Sequence, residues 1–324
     1  FNDLTLQISL FRPGPMKGNM ISPYLDGRHG FIQPDYFHPD LKPILEESYG
    51  VVVFHEQLMQ IMKVMTGCSL AKADEMRRKM SKPSLKEEIE SYFKQSSLAR
   101  GYQLSVVNRV WQVLEGFGSF GFCKAHGAAF ALPTYQSAWL KTHYPAEFIA
   151  GLLTHDPGMY PKRLLLAEAR RLGVELLPID VNRSTDEYRV EKTSTSKGVR
   201  MAIGEIAGIS TPEVSRIVKK APFRDIADFY TRARPSRKTI MRLAAIGALD
   251  SLSENATRGD VIQKVREITT KPAPKIHSSQ IELNFIIGEE LPQGNPEFNR
   301  DQQLEQEVGL TGMDISGHIL DKYQ

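Results

Sequence analysis

The sequence predicts a mainly α-helical protein with minor short strands, divided into two or three domains. Apolar residues recur at helical spacing in most segments before residue 182. The 324 residues exceed what one compact core normally holds. A hydrophobic content of 41% is typical of a soluble globular protein. No apolar run reaches the roughly 20 residues that span a bilayer, so we expect no membrane partner.

The first part of the chain is predicted to be a series of helices with clear breaks. Residues 1–11 end a strand or begin a helix, and "RPGPM" at 12–16 stops either element, because two prolines and a glycine continue neither. Helix-like segments are predicted at 41–67, 69–81, 86–102 and 105–117. Pro145 then divides two further helices, and 163–182 is predicted to contain a helix, a glycine stop and a short strand.

The pattern changes near residue 187. Residues 188–204 resemble a two-stranded ribbon, a compact helical unit follows to about residue 252, and 253–279 holds a helix and a Pro/Ser linker. Between 183 and 242 there are 14 Lys/Arg against 7 Asp/Glu, whereas 280–324 has 2 against 9. A basic middle before an acidic tail indicates a segment that faces a polyanion.

A repeat lies within this basic segment. "IGEIAGI" at 203–209 precedes a helix, and "LAAIGAL" at 243–249 repeats its spacing, as in a tandem helix-hairpin-helix. Glycines such as Gly204, Gly208 and Gly247 would let backbone N–H groups approach a DNA phosphate whatever the base.

Basic side chains near these turns would add affinity by releasing counterions, the candidates being Lys219, Lys220, Arg237, Lys238 and Arg242. The alternative is a helical hairpin with a packing glycine and a solvated basic face. The second copy has Ala248 where the first has Gly208, which favours a structural role for the second.

The stretch "FGSFGFCKAHGAAFALPTYQ" places two potential cations before a long apolar run. If a loop ended near Gly127, Lys124 and His126 would converge at a helix start and form a phosphate cradle. The alternative is a snorkelling lysine and a histidine bonded to a carbonyl. The helix could equally begin at Pro133; on a helix running through, Tyr135 would share the Lys124 face and stack on a base or fill the core.

"ADEMRRKM" offers a second cationic candidate in Arg77 and Arg78. Asp74 and Arg78 are spaced i,i+4, as are Glu75 and Lys79, so a solvated salt-bridged face competes with triphosphate binding. Met76 and Met80 are expected to bury the other side.

The cysteines, Cys68 and Cys123, stand in apolar surroundings, which suits a reducing cytoplasm. Walker, dinucleotide and nucleophile-elbow motifs do not occur, and Asp3 is an isolated carboxylate. The residues alone therefore indicate a nucleic-acid-binding helical protein with a candidate nucleotide phosphate site.

The motifs closely resemble those of bacterial C-family DNA polymerases, the alpha subunits of polymerase III and their relatives. The resemblance follows the family's order through essentially the whole chain and rests on "LFRPGPM", "YGVVVFHEQLMQIM", "ADEMRRKMSK", "FGSFGFCKAHGAAFALPTYQSAWLKTHYPAEF" and "GLTGMDISGHIL". Residues 154–184 resemble the error-prone, lesion-bypass branch.

The resemblance implies a domain plan. Residues 1–11 would end the palm, 12–185 would form the fingers, 186–253 the tandem helix-hairpin-helix, and 254–324 a linker and acidic tail leading towards an OB-fold. Since the chain opens on Phe1 in mid-pattern, we expect it to be a fragment that is inactive alone.

The resemblance also assigns roles. Asp3 matches a catalytic palm carboxylate that binds one of two Mg²⁺ ions, and the family's close aspartate pair has no counterpart here. Lys124 would neutralise nucleotide phosphate, and His126 would press on the sugar and penalise a 2′-hydroxyl.

Arg77 and Arg78 match the arginines implicated in triphosphate binding. Cys123 and Ala125 replace the usual Asn and Ser, which implies relaxed nucleotide checking, and Gly127 is expected to loosen the helix start.

The implied partners are template-primer DNA, deoxynucleoside triphosphates, the sliding clamp and other lesion-bypass proteins. Gln280, Leu283 and Phe285 fit a loose clamp-binding pattern. The implied location is the bacterial cytoplasm at the nucleoid. A replicative alpha subunit and a non-catalytic DNA-binding or clamp-interaction module are the alternatives.

Overall fold

The computed structural model is mainly helical, as predicted. It describes residues 1–11, 20–80, 82–117, 121–194, 196–253, 256–270, 291–318 and 320–321. The predicted break at 12–16 and the clamp candidates Gln280, Leu283 and Phe285 lie outside these residues. The chain divides into two compact units, Phe1–Ala138 (unit 1) and Trp139–Gln324 (unit 2). No described helix is long and apolar enough to cross a membrane.

Unit 1 contains seven described helices and most of an eighth. They are α1 (Asn2–Leu10), α2 (Ile21–Arg28), α3 (Lys42–Leu45), α4 (His55–Thr66), α5 (Leu70–Met80), α6 (Pro83–Ala99), α7 (Leu104–Phe117) and α8 (Lys124–His143), the last of which crosses into unit 2. The helices predicted at 69–81, 86–102 and 105–117 are therefore confirmed to within three residues, and residues 1–11 are helical rather than extended.

The single helix-like segment predicted at 41–67 is wrong in its first half. A 3₁₀ turn at Glu46–Ser48 ends the short α3 region, and Tyr49 and Gly50 then adopt left-handed conformations with φ of 53° and 84°. Two consecutive positive φ values cannot continue a right-handed helix. The chain reverses here and runs extended into the start of α4.

The core of unit 1 lies between α4, α5, α6 and α7. The largest side chains fully buried in it include Leu58, Met62, Met65, Phe93 and Phe117. Met76 and Met80 are 4% and 7% exposed, so the predicted buried side of α5 is confirmed. A second cluster joins Leu6 and Leu10 of α1 to Phe54 and its neighbours.

Unit 2 combines a three-stranded sheet with helices. These are α9 (Pro145–His155), α10 (Lys162–Arg171), α11 (Thr211–Lys220), α12 (Ile226–Ala233), α13 (Arg237–Ala245), α14 (Arg258–Thr270) and α15 (Arg300–Thr311). The strands are β1 (Glu175–Leu177), β2 (Arg189–Lys192) and β3 (Lys197–Arg200), in the order β1-β3-β2. The predicted ribbon is confirmed as the antiparallel β2–β3 pair, to which β1 adds in parallel.

The two glycine repeats have different local structures. The first has only a 3₁₀ turn, Ile203–Glu205, before Gly208, whereas the second follows the full helix α13. The left-handed glycines are Gly208 (φ 72°) and Gly247 (φ 79°). In the repeat alignment Gly208 matches Ala248, so the positive φ falls one position earlier in the second copy. The two turns therefore present different backbone N–H groups.

Candidate functional site

Helix α8 begins at Lys124 and continues through Pro133, so the expected helix start after Gly127 and the alternative start at Pro133 are both wrong. The reason is tertiary: the His55 N–H donates to the Phe122 carbonyl at 2.9 Å, which fixes the chain immediately before the helix. Two positions on a helix differ by about 200°. Lys124 and His126 therefore leave α8 in nearly opposite directions and do not form the loop cradle.

The start of α8 binds carboxylates instead. The Lys124 ammonium lies 2.6 and 2.8 Å from the two carboxylate oxygens of Glu47, and 5.5 Å from the centre of the Phe54 ring. The Lys124 backbone N–H donates to both oxygens of Glu56, at 3.1 and 3.2 Å. This group, the Lys124 corner, consists of Lys124, Glu47, Glu56 and Phe54. A cation and a helix N-terminal N–H are the two features of an anion site, and in this structure each of them binds a carboxylate.

The first turn of α4 holds both glutamates in place. The buried Gln57 accepts the Phe54 N–H at 3.0 Å and donates to the Ser48 hydroxyl at 2.7 Å. Glu56 precedes Gln57 and Glu47 precedes Ser48. The side-chain amide of Gln57 therefore links the two backbone segments that carry the glutamates. Sequence reasoning missed both glutamates because it placed 41–67 in one helix. The signal available was an acidic residue opening a helix, which favours a capping role.

His126 lies between two aromatic rings and is exposed. Its ring centre is 5.1 Å from that of Phe122 and 4.8 Å from that of Phe130, the second at 90°. Tyr135 is 55% exposed, so it does not fill the core. Eleven residues of helix return to nearly the same side, so Tyr135 shares the Lys124 face, as predicted for a continuous helix.

Arg77 and Arg78 both bind Asp74. Arg77 donates to it at 2.8 and 3.0 Å, and Arg78 at 2.9 Å, while Lys79 pairs with Glu75 at 2.7 Å. The hydrogen bonds from Arg78 and Arg77 lower the pKa of Asp74. The salt-bridged face expected from the spacing is thus present. Arg78 remains 72% exposed and Arg77 21%.

Arg77 and Arg78 lie in the last turn of α5. Helix α5 packs against α4, from which it is separated by only three residues, 67–69. The first turn of α4 carries Glu56 and so belongs to the Lys124 corner. Both predicted cationic segments are thus parts of unit 1 that adjoin α4.

Asp3 lies in the first turn of α1 and forms a 2.6 Å ion pair with Arg28. No three His, Cys, Asp or Glu side chains gather into a possible metal site anywhere in the described ranges. A divalent ion held at Asp3 would need ligands that those residues do not provide, so we assign no catalytic step to a metal here.

Gly127 is a contact point between helices rather than a loose helix start. A Cβ at this position would lie 2.7 Å from the Ser9 hydroxyl and 3.2 Å from the Thr5 methyl group. Gly127 and Ala131 are the residues of α8 that are fully buried in the described region. The missing side chain thus lets α1, which carries Asp3, approach α8 closely at a residue inside the helix.

The first glycine turn of unit 2 carries the features of a phosphate site. An Arg242 guanidinium nitrogen lies 2.7 Å from where a Cβ of Gly208 would stand, so the arginine rests on the turn. Glu213 accepts the Ser236 N–H at 2.8 Å and thereby ties the start of α11 to the start of α13. Burial by itself would raise the pKa of Glu213, but the hydrogen bonds from Ser236 and Ser210 lower it to about 2.

The second turn is closed by the protein itself. A Cβ on Gly247 would collide with Arg258 and Asp250, which pair with each other at 2.8 Å. The structural role inferred from Ala248 agrees with this arrangement.

The predicted DNA-binding residues are only partly brought together. Lys219 and Lys220 are exposed in the last turn of α11, about 15 Å of helix from the Gly208 turn that precedes it. Gly204 lies in the 3₁₀ turn, where a Cβ would meet only the Asp186 carbonyl, at 3.9 Å. Arg237 and Lys238, exposed in the first turn of α13, are closer in the chain to the Glu213 junction.

Two family descriptions match this chain. Residues 1–100 match the bacterial DNA polymerase III alpha subunit finger domain, and residues 173–259 match a helix-hairpin-helix motif.

Individual relatives align with most or all of the chain. An error-prone DNA polymerase of Symbiobacterium thermophilum is 33% identical over 99% of this chain and 34% of its own length. A DNA polymerase III subunit alpha of Campylobacter jejuni is 30% identical over 100% of this chain and 28% of its own length. An error-prone DNA polymerase of Teredinibacter turnerae is 37% identical over 79% of this chain and 26% of its own length. The chain therefore spans about a third or less of the length of these relatives.

Proposed function

Because this chain belongs to the family of bacterial DNA polymerase III alpha subunits, we propose that it binds the incoming deoxynucleoside triphosphate and the template-primer duplex during DNA synthesis. The observation that carries the proposal is the Lys124 corner. Its ammonium already binds the carboxylate of Glu47, so it can bind the oxygens of a phosphate chain. A cation beside a helix N-terminus is a common component of phosphate sites.

The family resemblance adds further nucleotide contacts to this proposal. Arg78, exposed in the last turn of α5, would bind the outer phosphates with Arg77 beside it. Positive charge placed there stabilises the charge that develops on a leaving pyrophosphate. His126 leaves α8 on another side, where the two flanking rings limit its rotation. A ring held in this way can press on a sugar and exclude a 2′-hydroxyl.

Duplex binding is assigned to the Gly208 turn and Arg242. The left-handed Gly208 stands just before the N-terminus of α11, a position that favours anions, and the Arg242 guanidinium on the turn adds a charged donor. Such contacts fix position without reading sequence. Gly247 is instead assigned a structural role, since its own side of the turn is covered by Arg258 and Asp250.

We further propose error-prone lesion bypass in DNA repair as the role of the parent enzyme. Relatives named error-prone DNA polymerase are among the matches, and Cys123 and Ala125 supply no side-chain amide or hydroxyl next to the Lys124 corner. A replicative alpha subunit is the second candidate, because a relative named DNA polymerase III subunit alpha matches over 100% of the chain. The same proposal includes a site for two Mg²⁺ ions whose other ligands would come from outside this chain. It also includes contact with the sliding clamp and a location at the bacterial nucleoid.

Nucleotide titration of the longer polymerase tests the proposal. Replacing Lys124 with Gln or Arg78 with Ala should weaken deoxynucleotide binding about tenfold, since a hydrogen bond to a charged group is worth roughly 1.5–3 kcal/mol. Lys79→Ala is the matched control, because Lys79 is on the same helix turn and pairs with Glu75. If all three variants bind nucleotide like the parent, the non-catalytic DNA-binding module is the better description.

The 324-residue chain itself provides a second test. It should bind duplex DNA with strong salt dependence and extend no primer, because it offers no complete metal site among its described residues. Primer extension by the highly purified chain would contradict the proposal.

A further inference from the structure

We infer that Glu47 is a built-in competitor of the nucleotide: its carboxylate binds the Lys124 ammonium at the place where a phosphate oxygen would bind. This inference rests on the proposed function, since it assumes that Lys124 receives the triphosphate. It goes further by assigning a role to a residue outside the nucleotide-binding set. A nucleotide would then bind by exchanging one anion for another on the same cation.

The backbone around Glu47 is held by buried and hydrogen-bonded neighbours. Both Glu47 oxygens bind the ammonium, at 2.6 and 2.8 Å. Glu47 stands in a 3₁₀ turn whose next residue, Ser48, is fully buried and bonded to Gln57. Tyr49, the residue after this turn, adopts a left-handed backbone conformation that ends it. The carboxylate is therefore delivered by rigid backbone and not by a loose loop.

Exchange is possible because the pair is open to solvent. The side chains of Lys124 and Glu47 are 41% and 36% exposed, so a phosphate can approach without opening the core. When Glu47 leaves, the Phe54 ring stays 5.5 Å below the ammonium and keeps it in place by a cation–π contact. The Lys124 ammonium would therefore keep the same position whether it binds Glu47 or a phosphate.

Glu56 does not share this role. Its two oxygens accept the Lys124 backbone N–H, and Cys123 is close enough for its thiol to donate to one of them. Glu56 therefore caps α8, and removing it would disturb the helix that carries the whole site. The Glu47 carboxylate binds the Lys124 ammonium and not the backbone N–H that starts α8, so replacing it should leave the helix cap in place.

The test measures binding of dATP and of inorganic tripolyphosphate to the 324-residue chain by titration calorimetry. Glu47→Gln should tighten binding of both about two- to fivefold, because a solvent-exposed ion pair is worth up to roughly 1 kcal/mol, a factor of about five. Glu46→Gln is the matched control: it removes the same charge from the neighbouring exposed position, and its expected effect is smaller than twofold. In a Lys124→Gln background, Glu47→Gln should have no effect.

The outcomes separate the two proposals. If Lys124→Gln weakens tripolyphosphate binding and Glu47→Gln fails to tighten it, the competitor role is wrong and the proposed function survives. Weaker binding by Glu47→Gln also overturns the inference, because Glu47 would then position Lys124. If Lys124→Gln leaves both ligands unaffected, the proposed function itself fails and the inference with it.

Discussion

The close crossing of α1 and α8 predicts that replacing Gly127 with Ala destabilises unit 1. The added methyl group would lie 2.7 Å from the Ser9 hydroxyl and 3.4 Å from the Thr5 carbonyl. Ser9 is fully buried and donates to that same carbonyl at 2.7 Å, so it cannot swing away freely. Overpacking of this kind costs about 1–3 kcal/mol. Alanine gains roughly 1 kcal/mol over glycine in a helix, so we expect a net loss of about 1 kcal/mol.

Gly116→Ala is the matched control. Gly116 lies in α7 of the same unit, and a Cβ there would meet no atom of the described residues within 4 Å. Its replacement should stabilise unit 1 by up to about 1 kcal/mol, so the two glycines should give opposite signs.

Urea unfolding followed by tryptophan fluorescence measures both variants. The two tryptophans are divided between the units, with Trp111 3% exposed in unit 1 and Trp139 in unit 2. In a Trp139→Phe background the signal reports on unit 1 alone. Removing the nearest obstacle with Ser9→Ala should partly rescue Gly127→Ala. If Gly127→Ala is as stable as Gly116→Ala, or if the double variant shows no rescue, the close-contact argument is refuted.

Three further predictions concern the sugar, the pH dependence and the duplex. His126→Ala in the longer polymerase should raise the ratio of ribonucleotide to deoxyribonucleotide kcat/KM at least about tenfold, because a steric contact of this size is worth roughly 1–3 kcal/mol. Glu213 has a folded-state pKa of about 2, below its ordinary value, so it stabilises the fold above about pH 4.5 and loses that effect as the pH falls towards 2. Glu213→Gln should therefore reduce hydrogen-exchange protection of α11 and α13 at neutral pH and flatten its pH dependence in that window. Arg242→Ala should lower the salt slope of duplex binding by about 0.9, the value of one lost phosphate contact, whereas Lys219→Ala should change it less.

The controls for these three are specific. An unchanged sugar ratio in His126→Ala would remove its role as a gate, and Tyr135→Ala should leave the ratio unaltered because Tyr135 points along another face. Equal pH profiles for Glu213→Gln and the parent would show that the bonds to Ser236 do not stabilise the junction. Equal salt slopes for Arg242→Ala and Lys219→Ala would contradict the assignment of the Gly208 turn.

Local patterns in the sequence determined much of the fold. The period of apolar residues predicted α5, α6 and α7 closely, because each buries one side against the same core and so repeats every three to four positions. Pro145 predicted the division between α8 and α9, since proline fits the first position of a helix and not its interior hydrogen bonds. The salt bridges of Arg78 and Lys79 followed from i,i+4 spacing alone.

The tertiary structure decided what no local pattern contains. Helix α8 begins at Lys124 because Phe122 is tied to His55 and because Glu56 accepts the first N–H, and both partners lie more than sixty residues away in the chain. Because these distant contacts start the helix at Lys124, Lys124 and His126 point to different sides of it. The Lys124 ammonium then lies beside Glu47. Helical spacing records which residues share a face, but it does not record which carboxylate from another segment meets them. The sequence by itself therefore determined the helices and their cations, and only the packing of α4 against the start of α8 decided which anions those cations bind.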